Sequence, residues 1–68
     1  MRLAEFFQLI EDEFGTVKAD FVYHSHFLAG LGGTAEQLID DGVDPNRVWG
    51  QLCDDFEVPA DRRLGRDE

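Results

Sequence analysis

The sequence predicts an all-α fold, a compact bundle of about four short helices at residues 3–14, 16–29, 35–41 and 45–57. Three observations carry that prediction. Apolar residues recur at three- and four-residue spacing, glycine or proline interrupts the chain where the spacing lapses, and helix-capping residues stand where it resumes. Residues 1–59 form one helical domain, and residues 60–68 read as a charged, mobile C-terminal tail.

The first helix rests on Leu3, Phe6, Phe7, Ile10 and Phe14, which fall on one side of a 3.6-residue wheel while Glu5, Gln8, Glu11, Asp12 and Glu13 fall elsewhere. Gly15 supplies a left-handed cap. In the second segment Val17, Phe21 and Leu28 share a narrow sector, and its length favours a helix ending near Ala29 or Gly30 despite the β-prone Val22, Tyr23 and Phe27. Thr34-Ala35-Glu36-Gln37 fits a capping box: the Thr34 hydroxyl accepts from the Gln37 amide and the Gln37 side chain reaches back. The third helix carries Ala35, Leu38 and Ile39 and stops at Gly42. Asp44 then caps a fourth helix with Pro45 at its first position, where a missing N–H costs nothing. Val48, Trp49, Leu52 and Phe56 line its inner face, and Pro59 ends it.

A 68-residue chain buries only about 60% of the surface it exposes when unfolded, so its stability margin is thin. A hydrophobic fraction of 43%, with six Phe, is nevertheless enough for a core, and weak homo-oligomerisation would add to it. Cys53 is the only cysteine, which rules out an internal disulfide and a multi-cysteine zinc site and suits a reducing cytoplasm. The N-terminus lacks the pattern of a secretory leader, and no apolar run is long enough to span a membrane; the expectation is a soluble cytoplasmic protein. Fifteen acidic against six basic residues give a net charge of -9, which repels nucleic acid and anionic membrane.

The stretch "HSHFLAGLGGT" at residues 24–34 brings two histidines next to a glycine-rich run. Two residues apart on a helix, His24 and His26 point about 200° from each other, so they do not share a face as zinc-binding histidines do. A site made of His24, His26 and Cys53 would need an extended segment. His26 is expected to be structural, hydrogen-bonded or packed at a helix junction. The glycines precede a helix N-terminus that attracts anions, yet the lysine of a P-loop and its flanking strand are missing. Gly32 and Gly33 are explained as stop signals before the Thr34 cap. "DDGVD" fails as a calcium loop because Gln37 and Ile39 stand at ligand positions. Cys53 has acidic neighbours, Asp54 and Asp55, that disfavour a thiolate, and reads as a packed core residue. Helices three and four resemble a helix-turn-helix in outline, but Arg47 is the only cation between residues 45 and 57. No catalytic residue, metal ligand or cofactor site is expected.

The opening "MRLAEF", then "HFLAGLGGT", "GVDPNRVWGQLC" and the closing "VP" form an ordered set that covers residues 1 to 63 and resembles a small actinobacterial family, domain of unknown function 3046. The positions that carry the resemblance are Met1-Arg2-Leu3, His26, Leu31-Gly32-Gly33, Gly42, Pro45, Val48-Trp49, Cys53 and Val58-Pro59. It implies a compact all-helical domain without assigned activity, encoded near the main recombinase gene. This chain departs from the family at Ala4, where members carry Ser or Thr, and at Ser25, where an acid often precedes the matched histidine. The second departure weakens any Asp-His catalytic pair.

The expected role is a non-enzymatic protein-interaction or regulatory module that presents acids to a basic partner protein, with Glu11, Asp12, Glu13, Asp54 and Asp55 as the contact residues. The alternative is a nucleic-acid-associated regulator in recombination or repair, acting as a helix-turn-helix or as an acidic DNA mimic. Trp49 is read as the centre of the core in preference to an exposed partner anchor.

Overall fold

A computed structural model describes residues 1–64. Three helices, α1 (Leu3–His24), α2 (Ala35–Asp40) and α3 (Pro45–Asp55), each pack on the other two, and a two-stranded antiparallel ladder joins α1 to α2. The ladder pairs β1 (Phe27–Leu28) with β2 (Gly33–Thr34), Phe27 opposite Thr34 and Leu28 opposite Gly33.

α1 is broken inside. Gly15 has φ +80° and ψ 162°, a conformation open to glycine and closed to other residues, and the helical ladder is interrupted there. Phe7 and Tyr23 lie equally far on either side of it, yet their ring centroids are 5.0 Å apart. A straight helix would hold them about 24 Å apart. The chain therefore doubles back at Gly15, and α1 is a hairpin of two helical arms.

The four-helix, all-α expectation thus holds only in part: its first two helices are the two arms of the single α1, and a small ladder stands where the second was to continue. The second segment leaves the helix at His24 instead of running to Ala29. Ser25 closes the helix by donating to the Phe21 carbonyl, and the turn after β1 closes through Leu31 and Gly32 amides that both donate to the Leu28 carbonyl. Gly32, at φ +81°, makes that turn possible. The β-branched and aromatic run that ends in Phe27 had the local preference for this outcome, and tertiary packing decided it.

The apolar stripes shift as well. Phe6, Leu9 and Ile10 face the core from the first arm while Leu3 and Phe7 are left partly exposed; on the second arm Val22 is buried, whereas Val17 and Phe21 are exposed. Assigning the second arm's inner face from Leu28 misplaced it, because Leu28 is not on that helix. Leu28 itself is fully buried from the ladder, among Val48, Leu52 and Cys53 of α3, Ala35 and Leu38 of α2 and Val58. Each fully buried Phe or Leu contributes about 1.5–3 kcal/mol relative to exposure.

The capping signals appear as read. The Thr34 hydroxyl accepts from the Gln37 amide at 3.2 Å, and the Gln37 Oε1 accepts from the Thr34 amide at 3.0 Å. Asp44 Oδ1 accepts from the Asn46 amide, with Pro45 at the first turn of α3. α2 ends with Gly42 at φ +89°, and α3 ends with Glu57 at φ +56°. At both ends the following valine amide bonds five residues back, Val43 to Leu38 and Val58 to Cys53.

Candidate functional site

His24 and His26 are separated by the helix end, and each takes its own carboxylate. The His24 Nδ1 lies 2.9 Å from Glu36 Oε1 in the first turn of α2, and its Nε2 lies 3.4 Å from Asp20 Oδ1. The Glu36 hydrogen bond, more than any other cause, raises the His24 pKa above 6.5. His26 Nε2 pairs with Asp55 Oδ2 at 2.8 Å, and its ring packs on Phe56 at 4.6 Å between centroids. Asp55 also accepts from Gln51 Nε2 at 3.0 Å. Those two hydrogen bonds, His26 first, hold its carboxyl below 3.8. His24 thus ties the end of α1 to α2, and His26 ties the start of the ladder to α3.

The partner of His26 was not foreseen. Asp55 is 29 residues away, and no local spacing links them. Gly30 belongs to the same arrangement: a Cβ there would sit 2.6 Å from Gln51 Oε1, so a side chain would push Gln51 off Asp55. Gly33 is less tightly placed against its cap, with a Cβ 3.1 Å from Gln37 Oε1. Among the described residues no group of three or more His, Cys, Asp or Glu side chains forms a metal-holding cluster.

The acids expected to face a partner are distributed differently. Glu13 takes Arg62 through both oxygens, Oε1 from Nε at 3.2 Å and Oε2 from Nη2 at 3.0 Å. Asp54 accepts from Arg63 Nη1 at 3.0 Å, and Asp55 is held by His26 and Gln51. Asp12 accepts from Gln8 Nε2, and Glu11 only from the Thr16 hydroxyl at 3.2 Å. Three of the five therefore already hold a side chain from elsewhere in the fold. The charged end also makes contacts that the sequence did not suggest: Ala60–Arg62 form a 3₁₀ turn, and the Trp49 indole N–H donates to the Arg63 carbonyl at 2.7 Å. The remainder of the expected tail, 65–68, lies outside the described residues.

Between the two arms of α1 runs an open groove of about 620 Å³. Its floor is apolar, from Phe7, Ile10, Ala19 and Tyr23; Glu11, Asp20 and His24 stand along it. Phe7 remains 41% exposed there. Lys18, the one cation of the second arm, points away, its Nζ 5.7 Å and 5.6 Å from the Phe14 and Phe56 rings. Burial, followed by the charges of Asp40 and Glu36, raises the Tyr23 pKa above 10, so its phenol stays protonated.

Trp49 is 5% exposed, in the core. Cys53 is fully buried, and burial pushes its thiol up to about 11, which leaves almost no thiolate at neutral pH. Arg47 is exposed on α3, which ends in Asp54 and Asp55. No helix among the described residues is long and apolar enough to cross a membrane.

The model of a family described as "Protein of unknown function (DUF3046)" matches residues 1–61. A Mycobacterium tuberculosis (strain ATCC 25618 / H37Rv) protein named "Putative envelope-preserving system protein Rv2742c" is 50% identical over 42 residues, 60% of this chain and 14% of that protein's length. The chain thus spans a small part of this curated relative. No solved structure matches.

Proposed function

Because the chain belongs to the DUF3046 family, whose description assigns no activity, we propose a role from its own surface: a non-enzymatic protein-interaction module that docks a basic, amphipathic helical segment of a partner protein. The observation that carries this reading is the groove between the arms of α1, apolar along its floor and bordered by Glu11 and Asp20. Neither acid has a lysine or arginine within ion-pair distance among the described residues. A basic amphipathic helix matches both features, its apolar stripe on Phe7 and Tyr23 and its cations on the rim. The overall charge of -9 steers such a partner and repels polyanions.

Two features support a binding role over a catalytic one. Cys53, the one thiol, is sealed and protonated. The His26–Asp55 pair has its ring against Phe56 and is used to fasten the ladder to α3.

The test is an amide-resonance titration of the ¹⁵N-labelled protein with a synthetic amphipathic helix of lysine and leucine. Shifts confined to Ala4, Phe7, Ala19 and Tyr23, abolished by Phe7→Asp, are expected. Shifts spread evenly over every acidic surface would remove the groove reading.

A further inference from the structure

The segment after α3 is seated on the bundle in a way that resembles a bound peptide. Glu57 turns the chain, and Pro59 leads it in extended form into the 3₁₀ turn. Arg62 then reaches Glu13 of α1 with two parallel N–H···O bonds, while Arg63 reaches Asp54 of α3 and the Val58 carbonyl. The Arg63 carbonyl receives the Trp49 indole N–H at 2.7 Å. Arg63 and Leu64 also form one wall of a second cavity, of about 460 Å³, whose other walls include Met1, Leu9 and Trp49.

Val58 is still part of the core, but from Pro59 onward the segment holds on without burying apolar surface of its own. Pro59 and Ala60 are exposed, Leu64 is 90% exposed, and the Arg62 side chain is 59% exposed. Its attachments are polar; the two ion pairs reach solvent, Arg62 on one side and Asp54 on the other, so salt weakens them, while the bonds to the Trp49 indole and the Val58 carbonyl are part-buried. What lies underneath is the reverse: Leu9 and Trp49 are both largely covered. A polar strap over an apolar floor is removable without unpacking the core.

We propose that Pro59–Leu64 occupies, in cis, a docking site for a short partner segment that carries two successive arginines in a single turn. Glu13 receives the first guanidinium through both oxygens, a geometry that lysine does not reproduce. Asp54 receives the second, and the Trp49 indole N–H fixes the backbone by its carbonyl. The site is separate from the α1 groove and from the helical partner assigned to it. The chain's own strap sets a threshold, because a partner segment must displace it.

Trp49 is the only tryptophan, so its fluorescence reads the strap directly. In the full-length Arg62→Ala/Arg63→Ala protein the emission is expected to move to longer wavelength and acrylamide quenching to rise, with helical circular dichroism retained. A synthetic Val58–Leu64 peptide added in trans should reverse both changes, and a Lys-Lys version should need at least about tenfold more. The wild-type protein should need more of the arginine peptide than the variant does. Unchanged emission in the folded variant, or equal action of the two peptides, would overturn the proposal. So would wild-type dimers with exchanged straps, which would make a second copy the occupant. Should the double variant lose its helices, wild-type protein in rising sodium chloride gives the same readout, and constant emission and quenching up to 1 M salt sinks the idea.

Discussion

Two clasps close this small fold, and they share the last turn of α3. Asp55 takes His26 and ties down the ladder; Asp54, its neighbour, takes Arg63 and ties down the C-terminal strap. One clasp uses imidazole rings and the other guanidinium forks. They also differ in what they cover. The histidine clasp encloses Leu28, which is fully buried, whereas the arginine clasp buries none of the strap's own apolar residues. The first is part of the core's construction, and the second lies on top of it.

The largest effect is expected where the two clasps have a common support. Glu13 stands just before Gly15, and His24 ends the arm after it, so Gly15→Ala acts on both. No atom lies within 4 Å of the added Cβ, and the whole cost, about 1–3 kcal/mol, comes from the backbone. Thermal unfolding should show it as a clear loss in midpoint; an unchanged midpoint would mean that the hairpin is not what holds the clasps.

Next comes the histidine clasp itself. Asp55→Asn removes the charge that His26 faces and is expected to cost about 1 kcal/mol in denaturant unfolding, while the matching Asp54→Asn should cost clearly less because Asp54 is mostly exposed. Equal losses would erase the distinction between the two clasps.

A smaller change should strengthen the molecule. Glu57 adopts at the end of α3 the left-handed conformation that Gly42 adopts at the end of α2. Glu57→Gly removes that strain and should stabilise by several tenths of a kcal/mol, up to about 1. A destabilisation in the same assay would show that the Glu57 side chain is needed where it is.

Acidity has the smallest effect and acts with opposite sign on two groups of the histidine clasp. His24 titrates above its ordinary 6.5 in the folded state, so its contribution is complete below 6.5 and is lost as pH rises through the folded value. Asp55 titrates below 3.8, so its contribution is present above 3.8 and is lost as pH falls through the folded value. Following the His24 ring proton by NMR, Glu36→Gln should lower the titration midpoint; a midpoint that stays put would contradict the Glu36 bond.

The sequence disclosed those features whose cause is local. The Thr34 and Asp44 caps, the Gly42 stop and the break at Gly15 follow from residues within four positions of each, and they stand where the pattern put them. The end of α1 did not follow. Whether Phe27 and Leu28 continue a helix or form a ladder depends on Leu28 joining the core that α3 also lines, which no wheel of residues 16–29 represents. The clasps were hidden for the same reason: Glu13 meets Arg62 across 49 residues and Asp55 meets His26 across 29, so two of the acids that looked free were matched far along the chain. Glu57 carried no signal, since glutamate is an ordinary helix former and Pro59 already explained the stop.

Gly15 also gives the molecule an order of assembly. A turn of one residue brings Phe7 against Tyr23 with almost no loop to close, so the α1 hairpin has the least entropic obstacle to forming early. The contact between Arg62 and Glu13 closes a loop of 49 residues, the longest of the side-chain hydrogen bonds among the described residues, and comes late. In native-state hydrogen exchange the last closure is the first to open: the amides of Arg62 and Arg63 should exchange well before those of Ile10 and Leu52, in a molecule whose two ends thus keep different time.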